Sequence, residues 1–205
     1  MAHIPRSAAV PLWHLLAATV GAVIPYATPM VVAQTDPWYA DSIPLDLTND
    51  GQLETLLLTA HGARSDSLTL VFRILQNDRS LYALEWSVEH YFGGWFDSGL
   101  WREEMDTLPA SRRDSLVLTE LRAFFRAAET GDFPPQTPEF WLESAPRFIA
   151  TELSLAPEDP EVSAIWTDML ANTKQTFTFY GGYESTLTLA WSARARRFFV
   201  VWACC

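Results

Sequence analysis

Apolar and polar positions alternate with period two along two stretches of the first half of the chain. Leu68, Leu70, Phe72 and Ile74 share one face against Thr69, Val71, Arg73 and Leu75. After the polar run Gln76-Asn77-Asp78-Arg79-Ser80 the alternation resumes, with Tyr82, Leu84, Trp86 and Val88 opposite Ala83, Glu85, Ser87 and Glu89. Because strand side chains point to alternate faces, this pattern predicts two half-buried strands joined as a hairpin. The apolar run from Glu54 to Ala60 predicts a strand ahead of them.

From Pro109 the period lengthens. Val117, Leu118, Leu121, Phe124, Phe125 and Ala128 recur at helical spacing, and Ser111 followed by Asp114 resembles a capping box. Thr137-Pro138-Glu139 reads as an N-cap with Pro in the first turn, and Pro146 is expected to divide the next stretch into two short helices. Asp159-Pro160 repeats the cap ahead of Val162, Ile165, Trp166, Met169 and Leu170. The end returns to sheet, with Thr176 to Tyr180, a Gly181-Gly182 turn, Thr186 to Trp191, a turn over Ser192 to Arg196, and Arg197 to Cys204. Strands at both ends of a helical middle predict an α+β fold. The expected arrangement is one domain, with an antiparallel sheet built from the N- and C-terminal hairpins and about three helices packed on one face. No internal repeat interrupts this reading.

The first residues obey a different rule. Arg6 precedes a stretch from Ser7 to Thr35 without any charged side chain, and Ala8 to Ile24 is apolar apart from Pro11, His14, Thr19 and Gly21. A basic start, an apolar run and the small or apolar residues Val31-Val32-Ala33 predict a bacterial-type secretory signal peptide over residues 1–33. Pro25 and Pro29 favour an extended cleavage region. The mature domain is then 34–205, beginning near Gln34, and its expected location is extracytoplasmic, periplasmic or secreted. The alternative is an uncleaved N-terminal membrane anchor, because the apolar run approaches the roughly 20 residues that cross a bilayer. With the signal cleaved, no membrane insertion is expected.

Composition narrows the partners. The 205 residues include 14 Lys+Arg and 25 Asp+Glu, a formal charge of −11, which becomes −12 over residues 34–205 because Arg6 is lost with the leader. Nucleic acid and anionic membrane surfaces need a positive field, so neither is an expected partner. A hydrophobic fraction of 49% with 19% charged residues is enough to bury a core. The two cysteines are the last two residues, and adjacent Cα atoms lie about 3.8 Å apart, closer than the roughly 4.4–6.8 Å of a relaxed disulfide. On a strand, Cys204 follows the face of Val200 and Trp202 while Cys205 falls on the other. The pair is therefore read as structural, with a thiol-linked homodimer through Cys205 as the alternative.

One loop carries recognisable chemistry. Asp46-Leu47-Thr48-Asn49-Asp50-Gly51-Gln52-Leu53-Glu54 places oxygen side chains at positions one, three, five and nine, with Gly at six. Calcium needs several oxygens converging at about 2.3–2.6 Å, which Asp46, Thr48, Asp50 and Glu54 would supply through side chains and Gln52 through its carbonyl. From Asp46 to Leu58 the residues resemble the aspartate-rich calcium loop of FG-GAP and VCBS-type repeats, in which D-x-[DN]-x-D-G-x-x-[DE] leads into an apolar strand. That resemblance implies a bound calcium in an exported protein. Thr48 departs from the family's Asp or Asn, and a single copy implies no propeller. The other reading of Asn49-Asp50-Gly51 is a metal-free turn between strands, since all three tolerate positive φ.

Other constellations are thin. No H-E-x-x-H, G-x-S-x-G or phosphate-loop pattern occurs, and beyond the leader only His61 and His90 remain, with His90 continuing the Tyr82 face. Tyr91 to Trp101 interleaves aromatics with glycines, and Trp95, Phe96 and Trp101 are candidates for stacking against a sugar or peptide. The alternative for those rings is core filling. The function expected from these features is that of an exported, non-enzymatic binding or envelope-structural protein, stabilised by calcium on the metal reading, with a protein or glycan partner. The alternative is a carbohydrate-binding protein or hydrolase using the aromatic loop near Trp95.

Overall fold

A computed structural model describes residues 36–93, 105, 107–134, 140–182 and 185–204. In chain order the elements are β1 (Tyr39–Leu45), β2 (Glu54–His61), β3 (Thr69–Gln76), β4 (Arg79–Ser87), α1 (Val88–Gly93), α2 (Ala110–Ala127), β5 (Glu129–Asp132), α3 (Phe140–Leu153), α4 (Pro160–Asn172), β6 (Gln175–Gly182), β7 (Ser185–Ser192) and β8 (Arg197–Cys204). The fold is α+β. The signal-peptide expectation for residues 1–33, the cap at Thr137-Pro138 and the aromatic candidates Trp95, Phe96 and Trp101 all lie outside the described residues, as does Cys205.

The alternation does form a hairpin, over Thr69 to Ser87, with Phe72 opposite Leu84 and Leu70 opposite Trp86, while Val88 opens α1 and Gln76, Arg79 and Ser80 of the polar run belong to the strands. Its turn is tight because Asn77 and Asp78 both take left-handed backbone, at φ 51° and 64°. The expected single sheet is corrected: the strands form two four-stranded antiparallel meanders, β1-β2-β3-β4 and β5-β6-β7-β8. Two strands without strong alternation complete them. β1 carries Pro44 and pairs only with β2, an edge position that tolerates the missing N–H. β5 is four exposed residues paired with β6, within what had the composition of a helix end and connector.

Two sheets need two sets of cover. Leu56, Leu58, Leu70, Phe72 and Ile74 of the first sheet meet Val117, Leu121 and Phe124 of α2 and Phe177, Phe179, Leu189 and Phe198 of the second sheet in one core. Phe72 is its centre, with ring centroids 5.5 Å from Phe124, 5.9 Å from Phe177 and 4.8 Å from Phe179. The opposite face of the second sheet supplies Ala190, Phe199 and Val201 to another core with Ala145 and Ile149 of α3 and Val162, Ile165 and Met169 of α4. The helices thus divide between two cores. No helix among the described residues is long and apolar enough to cross a membrane.

Helix ends depart from the sequence reading in three places. α2 starts directly after Pro109, which stands at the N-cap at φ −56° and accepts the N–H groups of Arg112 and Arg113, so Ser111 and Asp114 lie inside the helix and form no box. α3 runs through Pro146 unbroken. The proline removes one bond midway along the helix, while Ala145, Ile149 and Ala150, all buried, keep the segment packed. β4 stops at Ser87, whose hydroxyl accepts the His90 N–H at 3.0 Å and starts α1, so His90 is exposed on a helix instead of continuing a strand face. At α4 the expectation and the structure agree: Asp159 accepts the Glu161 N–H at 2.8 Å with Pro160 next to the cap.

Two local contacts fix the second sheet. Gly182, at φ 93°, brings the β6 backbone so close to α1 that an added Cβ would stand 2.8 Å from Tyr91 Cα. On β8, Glu152 of α3 accepts the Val200 N–H at 2.8 Å and an Arg197 Nη2–H at 2.6 Å. Burial pushes the Glu152 carboxyl above its ordinary range, against the opposing pull of Val200 and Arg197.

Candidate functional site

The loop between β1 and β2 is built around a carboxylate. β2 opens with Glu54, which has no exposed surface. Its Oε2 accepts the N–H groups of Leu47 at 2.7 Å and Thr48 at 3.3 Å. Its Oε1 accepts the Thr48 hydroxyl at 2.9 Å and a Gln76 amide N–H at 2.8 Å. Four donors on one buried carboxylate satisfy both oxygens, which is the condition under which burying a charge is tolerated.

The remaining side chains close the bend. Asn49 at φ 61° and Gly51 at φ 82° reverse the chain. Asp46 Oδ2 accepts the Gly51 N–H at 3.1 Å, and Asp50 Oδ1 accepts the Gln52 N–H at 2.8 Å. This Gln52 bond is the main cause that holds the Asp50 carboxyl below the usual range, and Gln76, which donates to Asp50 Oδ2 at 3.2 Å, adds to it. Asn77 donates to the Gln52 side-chain carbonyl at 3.3 Å, and Gln175, from the start of β6, donates to the Asp46 main-chain carbonyl. Asp46 Oδ1 is buried and has no donor.

Of the five predicted ligands, the fold brings Thr48 and Glu54 into direct contact and links Asp50 to them through Gln76. It turns Asp46 toward Gly51 and leaves Gln52 on the Asn77 side. Among the described residues, no group of three or more His, Cys, Asp or Glu side chains is arranged to hold a metal ion. Gln76, Asn77 and Gln175 were missed by sequence reasoning. The first two sit in a run whose composition signals only a turn, and Gln175 arrives from 129 positions away in the chain.

The other end of the same hairpin also carries charge. Trp38, Ala63, Arg64, Ser65, Ala110, Arg113 and Asp114 line a cleft of about 280 Å³. Behind it Asp66 is held by Arg64 through Nε at 3.0 Å and through Nη2, and lies 3.3 Å from Arg113 Nη1. The Arg64 hydrogen bond is the first cause that keeps the Asp66 carboxyl below its ordinary range, with both guanidinium charges adding to it. No pattern in the sequence joins these residues, since they come from three separate segments.

No protein-family model, curated protein or solved structure matches this chain.

Proposed function

We propose that the chain is an exported, non-enzymatic binding or envelope-structural protein whose Asp46–Glu54 loop is tightened by calcium. The observation that carries this reading is the separation of roles inside the loop: Glu54 closes it through four hydrogen bonds, and Asp46 Oδ1 is left buried without a donor. The carboxylate that anchors the strand is thus committed to its own backbone, which supports a scaffold role over an acid–base one. A cation would enter at Asp46 Oδ1, a buried carboxylate oxygen without a donor, and secure a loop that already has its shape. Such a site is weak, in the range of about 10⁻⁴–10⁻³ M found for extracellular modules, and suits a chain exported into a calcium-containing medium.

Thermal denaturation of the mature chain in calcium against chelator tests it. At calcium about tenfold above such a dissociation constant the expected rise is roughly 3–6 °C, absent in Asp46→Asn. No rise in the unsubstituted chain overturns calcium at this loop. Mass spectrometry of the product exported by an expressing cell tests the address, with an N-terminus near Gln34 expected and an uncleaved chain retained in the membrane overturning it.

A further inference from the structure

Asp50-Gly51 is the one place in the chain where an Asp or Asn precedes Gly. Both residues are exposed at the bend between β1 and β2. An aspartyl carboxyl can be attacked by the main-chain nitrogen of the residue after it, which closes a succinimide ring. In most sequences a side chain on the following residue shields that nitrogen. Here there is none, and even an added Cβ on Gly51 would have nothing within 4 Å.

The loop supplies the groups such a ring closure needs. Asp50 Oδ1 accepts the Gln52 N–H at 2.8 Å, so the carboxyl is folded forward along the Gly51 peptide, the direction its carbon must take to reach the Gly51 nitrogen. The Gly51 N–H donates to Asp46 Oδ2 at 3.1 Å, which sets a proton acceptor on the attacking atom itself. Asp46 Oδ1 takes no hydrogen bond, and among the described residues the Gly51 N–H is the only donor held by that side chain. Gln76 donates to Asp50 Oδ2 at 3.2 Å and, with the Gln52 N–H, faces the oxygens on which charge gathers as the ring closes. Gln76 ends β3, so the folded hairpin completes a set that the loop sequence alone does not contain. Groups held in this way need little further ordering to react.

We infer that this loop converts its own Asp50 to isoaspartate. The Gly51 nitrogen bonds to the Asp50 carboxyl carbon, Asp46 takes the amide proton, and the hydroxyl of that carbon leaves with the proton as water. A second water then opens the ring. Attack at the side-chain carbonyl restores aspartate, and attack at the main-chain carbonyl leaves the chain running through Cβ and Cγ. The reacting form is the minor, protonated carboxyl, which the Gln52 bond disfavours, so the conversion is slow. Its product has an extra methylene in the main chain, which breaks the spacing of the Gly51 and Gln52 bonds. Glu54 keeps its four donors from Leu47, Thr48 and Gln76, and the fold survives. The calcium reading is not required, because every group in the reaction is in place without a cation.

Prolonged incubation of the purified protein in chelator-containing buffer, followed by labelling with a protein isoaspartyl methyltransferase and peptide mass spectrometry, tests the inference. Chelator keeps it apart from any calcium response. Isoaspartate at residue 50 should accumulate at least about tenfold faster than at Asp41-Ser42 or Asp66-Ser67, and in heavy-oxygen water it should carry one heavy oxygen from ring opening. Asp46→Asn should slow it at least about tenfold in the folded chain and leave the rate unchanged in urea, where Asp46 is no longer held on the Gly51 N–H. If that variant does not fold, the unsubstituted chain decides, since residue 50 should react faster folded than in urea. No isoaspartate at residue 50, a folded rate no higher than in urea, a folded rate unchanged by Asp46→Asn, or a slowing that persists in urea each overturns the assignment.

Discussion

The Phe72 ring on β3 and the Phe179 ring on β6 stand with centroids 4.8 Å apart, tilted at 46°, and through them the two sheets meet. Phe72 has no exposed surface and also meets Phe124 of α2 and Phe177 of β6. Phe72→Ala therefore leaves a cavity bordered by α2, β6 and, through Tyr82, β4, which cannot collapse independently. The expected loss is about 3–5 kcal/mol in urea denaturation, while Phe72→Leu should lose clearly less.

Glu54→Gln isolates the loop anchor. The substitution keeps the shape of the side chain but turns one acceptor oxygen into a donor facing N–H or O–H groups that already donate. About 2–3 kcal/mol of stability should be lost in chelator-containing buffer. Measuring it there separates the loop's own hydrogen bonds from any calcium contribution.

Two glycines of similar backbone conformation should behave differently. Gly51, at φ 82°, has nothing within 4 Å of an added Cβ, so Gly51→Ala meets only left-handed backbone strain of about 1–2 kcal/mol. Gly182→Ala meets the same strain plus contact with the backbone of Tyr91 and His90. It should lose at least about 1–3 kcal/mol more, and the near-ultraviolet signal of the Tyr91 region should change only in this variant.

The acid limb of stability should depend on Asp168. Partial burial acts to raise its carboxyl, yet hydrogen bonds from the Arg194 N–H and the Ser192 hydroxyl, both at 2.9 Å, with Asn172 and Ala193, leave it below the usual range. A lowered folded-state value means stability that is present above the ordinary carboxylate range and is lost as pH falls through the folded value. Asp168→Asn should lose about 1–2 kcal/mol at neutral pH and show a flatter fall in melting temperature on acidification. Glu152 runs the other way: with its carboxyl raised by burial, its contribution is greatest in acid and declines as pH rises through the folded value. Glu152→Gln should accordingly be less disruptive at neutral pH than Glu152→Ala, which strands Arg197.

What could be read from the chain follows the physics of burial. The β3–β4 hairpin was legible because one face of it is packed and the other is not, so Leu70, Phe72 and Ile74 had to alternate with Val71 and Arg73. β7 and β8 were legible as strands but not as members of a separate sheet, because Thr188, Leu189 and Ala190 are all buried and lose the alternation that would tell one face from two. β1 and β5 are edge strands held by their partners' backbone, which no side-chain pattern reports. In the loop, the pairing of Thr48 with Glu54 could be anticipated from spacing. The part played by Gln76 and Gln175 could not, because contacts between residues 22 and 129 positions apart leave no local trace. The cleft beside Trp38 is the extreme case, with no two of its charged residues from different walls sharing a sequence window.

The Glu152 contact on β8 has a bearing on how copies of the chain treat one another. An outermost strand with unoccupied N–H groups is a template on which a neighbouring molecule can add a strand and begin a fibre. Here the N–H of Val200 is already taken by a side chain delivered from α3, with Arg197 holding that carboxylate in position. At the far border of the same sheet β5 is only four residues long and ends in Glu129 and Asp132, which repel an identical border. One N–H of the β8 border is thereby occupied and the β5 border is short and acidic, which disfavours strand addition at the two margins of the second sheet.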